Sequence, residues 1–174
     1  KNLTLGVNYS EIFSRDPKWF TFLFSRYKFV SKLVDGLDNV CEFGSGEGLG
    51  SSLISQNVKK LTLYDNHENN IIESKRFLKN RKNIKIELQD FFELKSKTKY
   101  DAIYSLDVLE HINKKQENDF YKSVCANLKK DGFFIVGTPS IEFQKYANIK
   151  NKKFHINCKS AKDLKKLSLK FFKN

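Results

Sequence analysis

Apolar residues recur at helical spacing from Trp19 to Val34, with Phe20, Leu23, Phe24, Tyr27, Val30 and Leu33 on the same stripe. Asp16-Pro17 ahead of them has the form of an N-cap followed by proline in the first turn, and Gly36 is placed to end the helix. The aromatic stripe is most simply core packing. Beyond Gly36 the period changes. Short apolar runs at 39–43, 60–64, 83–88, 100–106 and 133–137 read as strands, with helical patterns at 49–56, 68–80 and within 116–128. Lys129-Lys130-Asp131-Gly132 reads as a turn before the last strand. Strand and helix alternating over short connections predict an α/β fold, a doubly wound and mainly parallel sheet covered on both faces. The tail differs. Residues 138–159 have no clear period, 160–170 form an amphipathic helix with Leu164 and Leu167 inward, and Phe171-Phe172 is where a sixth strand would begin.

The chain of 174 residues is expected to be one domain. Residues 1–37 form an N-terminal helical segment, 38–137 a nucleotide-binding core, and 138–174 a substrate-side loop and last helix. No apolar run reaches the roughly 20 residues that span a bilayer, and Lys1 to Ser10 lack the apolar centre of a signal peptide. Cys41, Cys125 and Cys158 are odd in number, far apart and in no C-x-x-C pair, which argues against a disulfide scaffold and a zinc site. The cytoplasm is the expected compartment. The sequence starts at Lys1 without methionine anywhere, so it reads as an excerpt of a longer chain or as one with some residues unrecorded.

The net charge of +12 is uneven, with ten lysines against the single acid Asp163 from Lys145 onward. A basic stretch of this kind suits an anionic substrate, nucleic acid or a membrane surface. The plainer reading is a lysine-rich composition on solvated faces. Only Arg15, Arg26, Arg76 and Arg81 are arginine, the side chain whose planar fork suits phosphate and base recognition.

The most informative stretch is Val40-Cys-Glu-Phe-Gly-Ser-Gly-Glu-Gly-Leu-Gly50. Glu42 stands two residues before Gly44, Gly46 and Gly48, with Ser45 between the first two, at the exit of a strand and the entry of a helix. Alternate glycines let the backbone turn through positive φ and bring its amides against a ligand. A dinucleotide fingerprint starting at Gly44 needs glycine at position 49, which is Leu49. In a doubly wound sheet ligands bind beyond the carboxyl ends of the strands. Asp65 ends the second strand, about 20 residues past the loop, where an acid accepts from both ribose hydroxyls of a nucleoside; Asn66 follows it. Asp90 ends the third, where a carboxylate can accept from an adenine amine while Phe91 packs on the base. The plainer alternative is a cap at Asp90 with Phe91 and Phe92 in the core.

The acid-x-Gly-x-Gly-x-Gly pattern resembles the first motif of class I S-adenosylmethionine-dependent methyltransferases. Ser105-Leu-Asp-Val-Leu-Glu-His-Ile112 after the fourth strand resembles the D-x-L-E-H-I motif of ubiquinone-biosynthesis-type O-methyltransferases and their bacterial type 11/23 relatives, and Gly137-Thr-Pro-Ser140 their next motif. The likeness runs from about residue 26 to 170. It implies a Rossmann-like methyltransferase fold lacking its complete C-terminal strand pair. It implies S-adenosylmethionine as cofactor, S-adenosylhomocysteine as product, and Glu42 to Gly48 around the cofactor's amino-acid end. Asp107 would lie beside its methionyl part, and Glu110 and His111 at the mouth of the acceptor pocket. His111 is the candidate base for an acceptor hydroxyl. The segment from Gln144 to Ser160 resembles a substrate-side loop and brings His155 toward the acceptor. For Glu110, His111 and His155 the alternative is a local structural role.

The reading is therefore a methyltransferase for a small-molecule or sugar-type acceptor, transferring to oxygen. No metal is expected, because His67, His111 and His155 show no metal-ligand spacing. Nucleic acid is disfavoured as a partner, and the oligomeric state is open. Three alternatives stand. A nicotinamide-dependent oxidoreductase is opposed by Leu49. A nucleic-acid methyltransferase or binding module using the basic tail is opposed by the lack of an N/D-P-P-Y/F motif after the fourth strand. A non-catalytic protein that keeps the cofactor fold is the third.

Overall fold

The computed structural model describes residues 5–147 and 149–173. Two helices lead, α1 (Val7–Arg15) and α2 (Pro17–Leu33), and the alternation follows: β1 (Asn39–Phe43), α3 (Ser51–Ile54), β2 (Lys60–Asp65), α4 (Glu68–Phe77), β3 (Ile84–Leu88), β4 (Tyr100–Leu106), α5 (Glu117–Asn127) and β5 (Leu128–Gly137). The tail carries α6 (Ile149–Phe154) and α7 (Ala161–Ser168), with short 3-10 segments at Leu109–His111, Lys114–Gln116 and Ile141–Tyr146. The sheet is parallel throughout, in the order β3-β2-β1-β4-β5. The strand order therefore reverses between β1 and β4, which fixes the ligand crevice at their carboxyl ends.

The inner strands β1, β2 and β4 bury both faces, and the pleat assigns alternate residues to opposite layers. Val40, Leu61, Leu63, Ala102 and Tyr104 join Leu23, Tyr27, Val30 and Val34 of the α2 region on one side. Cys41, Phe43, Tyr64 and Ile103 join Phe120, Tyr121 and Val124 of α5 on the other. Asp16 caps α2 as its sequence implies, accepting from the backbone N–H of Lys18 and Trp19 at 3.1 and 3.2 Å. The buried stripe of α2 is narrower than its apolar pattern: Trp19 and Leu33 stay exposed.

Three expectations are corrected. The 129–132 turn lies inside β5, because Tyr100 pairs with Leu128 and Ala102 with Phe133, leaving those four residues as a bulge in one continuous strand. No sixth strand starts at Phe171 among the described residues; Phe171 stacks on Tyr121 at 5.2 Å and Phe172 on Phe134 at 6.0 Å, closing the α5 side of the core. Asn174 lies outside the described residues. Lys159 is no solvated lysine: it is buried, with Nζ 2.6 Å from Glu117. No described helix is long and apolar enough to cross a membrane.

Candidate functional site

The glycine loop leaves β1 and turns directly over the neighbouring strand, Gly44 and Ser45 both donating their N–H to the Tyr64 carbonyl at 2.9 and 3.1 Å. Gly44, Gly46 and Gly48 have φ of 77°, 56° and 76°. At Gly44 a side chain is excluded twice, by the backbone and by Val108, whose Cγ2 stands 2.3 Å from where a Cβ would be. Val108 belongs to the segment after β4, so the two halves of the crevice touch at this glycine. Gly46 is the open position, with only the Tyr9 hydroxyl within 4 Å of a Cβ. Ser45 is buried, yet its Oγ has no hydrogen-bond partner among the described residues. An orphaned hydroxyl in a cradle of left-handed glycines fits a polar group laid against this loop.

Asp65 sits at the end of β2 as expected, and the fold ties it to the loop. Its Oδ2 accepts from Gly46 N–H at 2.8 Å, and its Oδ1 from His67 N–H and the Asn70 amide at 2.9 and 3.0 Å. A carboxylate has about four acceptor sites, so one direction stays open for a hydroxyl. Asn66 and His67 are exposed beside it.

Glu42 departs from expectation. It is fully buried, and its oxygens accept from the hydroxyls of Tyr27 at 2.9 Å, Tyr104 at 2.7 Å and Ser51. Burial pushes its carboxyl up to about 7, with the three hydroxyls pulling it partly back. Glu42 thus braces the loop from below and has no surface left for a cofactor. Gly50 completes the brace by letting the Tyr27 ring lie against the backbone, 2.2 Å from where a Cβ would stand. Glu47, two glycines along, accepts from the backbone N–H of Asn8 and Tyr9 at 3.1 and 3.4 Å and so pins the first turn of α1 over the loop.

At the end of β3, Asp90 Oδ1 accepts from Phe92 N–H at 2.9 Å, a local turn. Phe91 is corrected: it is core, stacked on Phe43 at 5.6 Å and edge-on to Phe120 at 5.3 Å, and is not free to cover a base. An aromatic after a strand fits either place in the sequence, and the neighbouring Phe43 and Phe120 decide it.

After β4, Asp107 adopts φ 56° and pairs with Arg26 of α2. Strain of this kind on a non-glycine residue belongs with functional sites. Glu110 follows, fully buried, with Oε2 accepting from Thr138 at 3.1 Å and Oε1 without a hydrogen-bond partner among the described residues. Burial, then the nearby Asp107 charge, raises its carboxyl to about 8. His111 is half-exposed, with Nε2 3.9 Å from Glu110 Oε1. A parallel bridge from Ser140 to Lys159 and the bond from Asn157 N–H to the Glu110 carbonyl at 3.0 Å fold the chain around His155 back over this corner. That closure brings the His155 ring to 5.1 Å from His111. Burial and the facing His111 lower the His155 pKa. The spacing of the histidines along the chain does not show this cluster, because the loop closure creates it.

A groove of about 1100 Å³ lies elsewhere, along the strand beginnings and the 93–100 connection, lined by Lys59, Lys60, Lys82, Lys95 and Lys97. It holds none of the chemistry of the crevice.

A wholly parallel doubly wound sheet, a glycine cradle after β1, an acid after β2 and a strained acid after β4 together define a nucleoside-binding α/β enzyme of the class I methyltransferase type. Residues 16–171 match the family model described as Methyltransferase domain, Methyltransf_23, and the chain belongs to this family of S-adenosylmethionine-dependent methyltransferases. Solved structures agree in fold. The N-methyltransferase NodS from Bradyrhizobium japonicum WM9 superposes with a TM-score of 0.73 at 15% identity, covering 88% of this chain and 83% of that one. The methyltransferase domain of bacterial CtHen1-C gives 0.70 at 22%, covering 85% and 82%. DhpI in complex with S-adenosylhomocysteine gives 0.62 at 20%, covering 74% of this chain and 63% of DhpI. No protein of curated function matches the sequence.

Proposed function

We propose that the chain binds S-adenosylmethionine in the crevice between the glycine loop and the 107–111 segment, and passes its methyl group to an oxygen of a small-molecule or sugar-type acceptor. The observation that carries this is the contact of Gly44 with Val108, which sets the cradle after β1 against the candidate acceptor group after β4. Ser45, Gly46 and Gly48 would hold the cofactor's amino-acid end, and Asp65 its ribose. Asn66 and Asp90 would line the adenosine side, and Asp107 would lie beside the methionyl chain, steered by Arg26. The bound cofactor supplies an electrophilic methyl on a sulfonium.

What the protein then contributes is position and a sink for the acceptor's proton. The Phe154 carbonyl accepts from His111 Nδ1 at 3.1 Å, which fixes the tautomer and leaves the Nε2 lone pair free. Glu110, His111 and His155 form the acceptor side, and deprotonation of the acceptor depends on His111. The DhpI and NodS relatives bind S-adenosylhomocysteine in their complexes, which supports the donor. NodS is an N-methyltransferase, so the choice of oxygen rests on His111. The test is transfer of labelled methyl from S-adenosylmethionine to phenolic, carboxylic and sugar acceptors. We expect labelled O-methyl product, and about 100-fold slower turnover in His111→Ala with S-adenosylhomocysteine affinity unchanged. Label in amines or RNA alone, or unchanged turnover in the variant, contradicts the reading.

A further inference from the structure

We propose that Glu110, His111 and His155 bind a divalent transition-metal ion at the mouth of the crevice. One ligand atom from each of the three lies within 4.8 Å of the other two. Two ligands on one ion at about 2.1 Å stand roughly 3 to 4.2 Å apart. His111 Nε2 and Glu110 Oε1, at 3.9 Å, already meet that spacing. The third needs a side-chain movement of less than an ångström.

A second, independent observation points to a cation. Glu110 Oε1 is buried and has no hydrogen-bond partner among the described residues, although its sister oxygen is bonded to Thr138. A buried acceptor left unpaired is costly, and here the unpaired oxygen stands 3.9 Å from Nε2, the nitrogen of His111 that carries its lone pair. Each ligand is also held from behind. Thr138 orients the carboxylate and the Phe154 carbonyl orients His111, while the Gln144 amide, whose Nε2 lies 3.2 Å from His155 Nδ1, turns its oxygen to that nitrogen when His155 Nε2 takes the ion. Outer contacts of this kind fix ligand rings in metal sites. Asp107, the nearest other acid, is already paired with Arg26. One carboxylate and two imidazoles suit manganese, iron, cobalt or zinc and leave coordination positions open toward the half-exposed His111 side.

An acceptor hydroxyl taking an open position would release its proton to water at a lower pH, the ion then using the His111 lone pair that the functional reading assigns to deprotonation. That consequence rests on the proposed function; binding of the ion does not.

The experiment titrates Co²⁺ into the chelator-treated full chain, followed by visible absorption and calorimetry, with Zn²⁺ in competition. We expect one equivalent bound, and at least about 100-fold weaker binding in Glu110→Gln and His155→Ala. A Cys125→Ser/Cys158→Ser double variant should bind Co²⁺ as the parent does. S-adenosylhomocysteine binding in the same samples reports whether the fold is intact. His155→Ala, in an outer loop, carries the test if Glu110→Gln fails to fold. No Co²⁺ binding by the parent, equal binding by His155→Ala, or loss of binding in the cysteine variant overturns the site. Co²⁺ binding without S-adenosylhomocysteine binding would overturn the functional reading and leave the metal site standing.

Discussion

Replacing Glu42 by Gln should flatten the pH dependence of stability. In the folded chain burial raises this carboxyl from its ordinary 4.5 to about 7, despite bonds from Tyr27, Tyr104 and Ser51. The folded state therefore binds more protons than the unfolded one between those two values, and stability falls as pH rises through that window. At about 1.4 kcal/mol for each tenfold change in proton affinity, the loss attributable to Glu42 is about 3 kcal/mol, complete above pH 7. Below pH 4.5 the acid is neutral in both states, and wild type and Glu42→Gln should lie close together. Above pH 7 the wild type alone carries the buried charge, and the variant should be the more stable by about 3 kcal/mol relative to their acid difference. Glu110, raised to about 8, slopes the same way in both proteins and cancels from the comparison. Urea unfolding of both proteins across this range measures the difference. Parallel curves, or a variant that loses ground as pH rises, would refute the argument and show that the three hydroxyls hold Glu42 charged.

Two further substitutions test the supports of the crevice. Gly50→Ala puts a methyl 2.2 Å from the Tyr27 ring, so the ring must move and release Glu42; about 3 kcal/mol of stability should be lost in urea unfolding, and a change below about 0.5 kcal/mol would contradict it. Lys159→Met leaves the partly buried Glu117 without its cation, and should cost about 3 kcal/mol in the same assay; a neutral result would show that the pair is dispensable.

The fold was legible because its signals are local. The cap at Asp16, the five short apolar runs and the glycine loop each depend on neighbours in sequence, and they gave the strand–helix alternation with its crevice. Helix α1 was legible only as part of a helical segment over 1–37 and not as an element with its own bounds, because Val7–Arg15 buries no residue fully and is held by Glu47, a contact across 39 residues. The bulge in β5 was hidden because a Lys-Lys-Asp-Gly run that ends pairing and one that only interrupts it look alike until the partner strand is known. The site was legible by strand end and not by side-chain direction. Glu42, Phe91 and Asp65 all lie where the alternation puts them. Only the Tyr27–Tyr104 hydroxyls, the Phe43 stack and the Gly46 amide show that the first braces the loop, the second fills the core and the third faces the crevice. The meeting of His111 with His155 follows from the Ser140–Lys159 bridge and has no local signal.

The central claim is tested most directly by calorimetric titration of S-adenosylmethionine, S-adenosylhomocysteine and NAD into wild type and Gly44→Val. At Gly44 both the φ of 77° and Val108 exclude the new side chain, so the variant should lose at least about 100-fold in affinity. The account predicts that wild type binds the two sulfur nucleosides and not NAD. Tight binding of NAD, or no binding of S-adenosylmethionine, would contradict it.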